Sequence, residues 1–82
     1  MSKEDLRKLS HSTEVTIWIG KGGIENIIAE LEQQLKERRV VKVKFLSASK
    51  SEKSVKELAE VLASKIKHKE YGTIGNVAIF RR

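Results

Sequence analysis

Between Thr16 and Ile28 the chain reads TIWIGKGGIENII, and this stretch decides the fold. Before the glycines, Val15, Ile17 and Ile19 alternate with Thr16 and Trp18, the two-residue period of a strand with one buried face. After them, Ile24, Ile27, Ile28, Leu31 and Leu35 recur at helical spacing. The change of period falls on Gly20, Lys21, Gly22 and Gly23. Glycine loses more backbone entropy on folding than any other residue. Three glycines in four positions therefore point to a backbone that something must approach closely.

Working outward, the helix after the glycines carries Glu25, Glu30 and Glu32 early and Lys36, Arg38 and Arg39 at its end, the polarity that complements a helix dipole. Val41, Val43 and Phe45 then alternate with Lys42 and Lys44 as a second strand with a basic outer face. The run SASKSEKS, 47–54, reads as a polar loop. Ser54 and Glu57 form a capping box ahead of a helix traced by Val55, Leu58, Ala59, Leu62 and Ile66. Two further strands, Lys69–Thr73 and Val77–Arg81, meet at the hairpin pair Gly75-Asn76. Upstream, Ser2 to Asp5 is a capping signal, and Leu6 with Leu9 marks one face of a short first helix, brief and frayed at its start.

The order α-β-α-β-α-β-β predicts an α/β fold, a two-layer sandwich on a four-stranded mixed sheet, formed as one domain over 1–82. If the first three strands run parallel, right-handed crossovers put both long helices on one face. The other face, with Thr16, Trp18, Lys42 and Lys44, is then less covered and partly basic.

Composition narrows the function. There is no cysteine, so neither disulfides nor a thiolate zinc site can staple the fold, and a cytoplasmic location is expected. No apolar run reaches the ~20 residues that span a bilayer, and the N-terminus lacks the apolar centre of a signal peptide, so a soluble protein is expected. Seventeen Lys and Arg against eleven Asp and Glu leave a net charge of +6. With a pI near 9.8, this favours a polyanionic partner.

Nucleotide motifs fail at the glycines. A dinucleotide fingerprint starting at Gly20 would need glycine where Glu25 stands, and a phosphate-binding loop of the ATPase type would need glycine at Val15 and Ser or Thr at Gly22. His11 and His68 with scattered carboxylates make neither a nucleophile–base pair nor a metal cluster. No enzyme, cofactor or metal is expected. What survives is a G-x-x-G turn with a lysine, opening a helix. It is either a backbone cradle for a sugar-phosphate chain, as in the KH-type clamp, or a tight strand-to-helix turn with one solvated lysine.

Taken together, IWIGKGG, IENIIAELEQQLKERR, VVKVKF and TIGNVAIFRR, with LRKLSH near the start, resemble the chloroplast RNA splicing and ribosome maturation (CRM) domain, also called the YhbY family. The resemblance covers nearly the whole chain. It implies an α/β fold similar to the C-terminal domain of translation initiation factor three, with a KH-like G-x-x-G loop. It also implies RNA binding, for a lone domain binding to ribosomal RNA or large-subunit precursors in ribosome maturation. The loop maps onto Gly20, Lys21, Gly22 and Gly23. This sequence departs from the family pattern after the loop, where Ile24 leads straight to Glu25 without the usual threonine cap, and before the first strand, where Thr13-Glu14 replaces proline.

Other candidate contacts each have two readings. Trp18 either stacks on a base or packs beneath the first helix. Arg38 and Arg39 grip phosphate or merely complement a helix end. Lys42 and Lys44 are a solvated face or, with Arg38 and Arg39, one continuous basic patch. Arg81 and Arg82 read as a mobile tail. The partner expected is RNA, bound by a monomer and away from membranes. The alternative is a protein-interaction module whose basic surface meets an acidic protein.

Overall fold

The computed structural model describes residues 2–20, 23–46 and 54–82. Its elements follow the expected order: α1 (Lys3–Ser12), β1 (Val15–Ile19), a 3-10 turn (Glu25–Ile27), α2 (Ile28–Glu37), β2 (Val40–Phe45), α3 (Val55–Lys65), β3 (Glu70–Ile74) and β4 (Val77–Arg81). Ser2 caps α1 by accepting from the Asp5 N–H at 3.1 Å, and Ser54 caps α3 by accepting from the Glu57 N–H at 3.3 Å. Each satisfies one of the donors that a helix start leaves unpaired. Of the loop expected over 47–54, residues 47–53 lie outside the described residues.

The sheet order is β1-β2-β4-β3. β1 and β2 are parallel, while β4 is antiparallel to both β2 and β3. The first three strands therefore share one direction, and β4 is slotted between the second and the third. The hairpin turn places Gly75 at φ +58, and no described residue other than glycine has positive φ. Positive φ at the first turn position alone is the II′ pattern, which glycine adopts without the Cβ clash.

Strand periodicity sorts the side chains into two faces. Ile17, Ile19, Val41, Val43, Phe45, Ala78 and Phe80 join Leu31 and Leu35 of α2 with Val55, Ala59 and Leu62 of α3 in one buried cluster. Both long helices thus cover the same face, as the connectivity predicts. Helix α1 lies across the reverse face, where Leu6 is buried against Gly72. A Cβ at Gly72 would stand 3.1 Å from Leu6 Cδ1, so a bare backbone in β3 is what lets α1 approach. Ile79, in register with Gly72 and Lys42, is buried on this side.

One strand departs from simple alternation. The β1–β2 register shifts between Val15 and Ile17, so that Val15 rather than Thr16 stands opposite Lys42. An extra residue in one strand turns its side chain toward the opposite face. Thr16, expected on the outer face, instead donates its hydroxyl to Gln34 Oε1 of α2 at 2.5 Å.

The C-terminal end is ordered rather than a tail. Arg81 lies in β4 and pairs with Glu70 at 2.5 Å, and the Arg82 N–H donates to the Arg39 carbonyl at 2.9 Å. Among the described residues no helix is long and apolar enough to cross a membrane.

Candidate nucleic-acid interface

Parallel pairing brings the ends of β1 and β2 together, and the hairpin turn joins them. The Leu46 N–H donates to the Ile19 carbonyl and the Phe45 N–H to the Asn76 carbonyl, both at 2.8 Å. One end of the sheet therefore gathers the strand-to-helix loop, Leu46 and the Gly75–Asn76 turn. Lys21 and Gly22 lie outside the described residues. Their flanks are described: the Gly23 N–H donates back to the Gly20 carbonyl at 3.1 Å, and Gly23 takes φ +77. No atom lies within 4 Å of a Cβ built at Gly23. Its glycine answers to backbone conformation, which an L side chain would strain by about 1–2 kcal/mol.

The helix after the loop begins later than the apolar spacing suggests. A 3-10 turn over Glu25–Ile27 precedes α2, and neither Ile24 nor Ile27 supplies a side-chain cap. Neither isoleucine carries the hydroxyl or similar acceptor that could satisfy those first N–H groups from a cap position. Polar backbone donors consequently stand close behind the loop, where anions are favoured.

On the outer face just below the loop, Trp18 is 53% exposed and stands in register with the exposed Lys44. Helix α1 covers β3 and β4 and leaves this corner open, so Trp18 does not pack beneath it. Across the sheet the same row continues through Val77 to Ile74. Leu46, 41% exposed, has its Cδ1 3.7 Å from a Cβ built at Gly20. Leu46, Val77 and Ile74 are apolar neighbours that sequence reasoning missed. The signal available was that VVKVKFL breaks its alternation at Leu46.

The remaining candidates are dispersed. Lys42 is half-buried, and its ammonium donates to the Ser10 carbonyl at 2.8 Å. A cation on the last carbonyls of α1 complements the negative end of its dipole. Arg38 and Arg39 are exposed where β2 begins, whereas Lys44 is near where it ends. A six-residue strand at ~3.3 Å per residue separates them by roughly 16–20 Å. The continuous patch, one of the two readings of these residues, therefore does not form: Arg38 and Arg39 stand at one end of β2 and Lys44 near the other. His11 and His68 do not meet either. His11 is exposed at the end of α1, and His68 lies edge-on to Tyr71 and Phe80, with ring centroids at 5.5 and 5.9 Å. Among the described residues no three His, Asp or Glu side chains converge as metal ligands would.

Comparison with known proteins places this arrangement. The chain is 38% identical over 80 residues to a Methanocaldococcus jannaschii protein named a probable RNA-binding protein, an alignment covering 96% of this chain and 60% of that relative's length. It also superposes with a TM-score of 0.70, at 32% identity, on the solution structure of a hypothetical Staphylococcus aureus protein for which RNA binding has been suggested. That match covers 98% of this chain and 82% of the other. The CRS1/YhbY (CRM) domain matches residues 1–82 in full. With fold and sequence in agreement, the chain belongs to the CRS1/YhbY (CRM) domain family.

Proposed function

We propose that this protein is a non-catalytic RNA-binding protein of the cytoplasm, acting as a monomer on ribosomal RNA or large-subunit precursors during ribosome maturation. The observation that carries the reading is the open corner of the sheet, where an exposed Trp18 and Lys44 adjoin the glycine-bracketed loop. Glycine backbone and the uncapped helix start suit close approach of a phosphodiester, with Lys21 adding charge. The Trp18 ring offers a stacking surface, worth about 1–3 kcal/mol per base in proteins that bind single strands. Net charge of +6 supplies the long-range attraction. The names given to the archaeal and staphylococcal relatives support the RNA-binding part of this reading.

Binding through phosphates releases counterions, so affinity must weaken as salt rises. With about 4–6 phosphate contacts on a single strand, each contributing a slope of about −0.7, log K against log salt should fall with a slope of about −3 to −4. Fluorescence anisotropy with labelled ribosomal RNA fragments across a salt series reads this slope. A flat titration between low and physiological salt contradicts the proposal. Tight, salt-sensitive binding to an acidic protein with none to RNA would favour a protein partner instead.

A further inference from the structure

At the end of the sheet away from the glycine loop, the last turn of α2, the approach to β3 and the end of β4 enclose a groove of about 520 Å³. That volume lies within the ~300–1,000 Å³ typical of small-molecule sites. Its rim carries four cations, Lys36, Lys67, Lys69 and Arg82, against one carboxylate, Glu32. Glu70, the acidic neighbour of Lys69, pairs with Arg81, and the Lys69 charge also acts on its carboxylate. Arg82 is held in place because its Nη1 donates to the Lys36 carbonyl at 2.6 Å, which leaves most of its donors available. The floor is largely apolar: lysine stems lay methylenes around Leu35, which is itself almost wholly buried.

His68 gives the groove a polar feature of its own. Its Nδ1 lies 3.0 Å from the Ile66 carbonyl. A carbonyl only accepts, so Nδ1 carries the hydrogen and Nε2 of the neutral ring is an acceptor. The edge-on packing against Tyr71 and Phe80 fixes the ring in that setting.

We infer that this groove is a second RNA contact that takes one unpaired nucleotide, with the base against the lysine stems and His68 and its flanking phosphates on the four cations. A largely apolar floor beside the imidazole of His68 suits a flat heterocycle, while the rim matches a phosphodiester. An acidic peptide would use the rim and leave the floor without a matching group. The inference rests on the RNA-binding reading above and adds a site roughly a strand's length from the loop. The protein then holds RNA at both ends of its sheet.

The test is amide-resolved NMR on the full chain with a short single-stranded RNA of mixed sequence, alongside the double variant Lys67→Glu, Lys69→Glu. In the wild type, two separate groups of resonances should shift, one around Trp18, Gly20, Gly23 and Lys44, the other around Lys67, His68, Lys69 and Arg82. In the variant, the groove shifts should vanish while those at the loop persist. Affinity should fall about tenfold or more at ~0.1 M salt, the effect of losing two phosphate contacts. Amide dispersion reports whether the variant is folded, and the wild-type map stands without it. Wild-type shifts confined to the loop, or groove shifts reproduced equally by polyglutamate, overturn the nucleotide site and leave RNA binding standing. An RNA that shifts neither group overturns the RNA reading itself, and this site with it.

Discussion

RNA affinity should fall by about a hundredfold or more when Lys21 and Gly22 are both replaced by aspartate, because the change removes phosphate contacts and sets two carboxylates where phosphates are proposed to sit. Gly23 is left unchanged, because its φ of +77 would add backbone strain to any substitution. Anisotropy titrations should be paired with thermal melts of the same variant. Lost binding with a nearly unchanged melt supports a backbone cradle. Unchanged binding in a folded variant means that the loop is only a turn, and the RNA surface must then be sought among the cations at the opposite end. Lys21→Asp alone separates charge from backbone access, since it keeps all three glycines.

The second large effect concerns stability. Phe80 is fully buried on the central strand β4 and stacks on Tyr71 with centroids 5.6 Å apart and planes 17° from parallel. Phe80→Ala leaves a cavity between that stack and the two helices, at a cost of about 3–5 kcal/mol. An 82-residue chain has a total stability on the order of 4–12 kcal/mol at ordinary per-residue values. The melting temperature should drop by more than about 10 °C. A loss of only a few degrees, read by circular dichroism, would mean that the core closes around the missing ring. That result would contradict the packing described for β4.

Much of this architecture was legible because its signals are local. The two periods on either side of Gly20–Gly23, the serine caps at Ser2 and Ser54 and the Gly75-Asn76 turn each depend on neighbours in sequence. The errors came where neighbours in space decide. The register shift in β1 turns Thr16 toward Gln34, and nothing in VTIWI announces an extra residue. Lys42 and Lys44 look equivalent in sequence, yet α1 folds over the first and leaves the second exposed. Arg38 and Arg39 sit close to Lys44 along the chain, but an extended strand carries them to opposite ends of the sheet. Arg82 reads as a loose terminus until the β3–β4 pairing and α2 bring it against Lys36. The basic groove was hidden for the same reason, because its cations come from three separate segments. Of the proposed site, the loop and Trp18 were named from sequence, while Leu46 was passed over as the end of a strand.

The central claim is that RNA lies on the corner formed by the glycine loop, Trp18 and Lys44. Photocrosslinking of thiouridine-substituted RNA to the protein, followed by mass spectrometric mapping of the modified peptides, tests it most directly. Crosslinks within residues 18–23 and 44–46, lost when unlabelled RNA competes, are the predicted result. Specific crosslinks confined to the exposed side of α3 or to the Arg38–Arg39 end, with none at that corner, would contradict it.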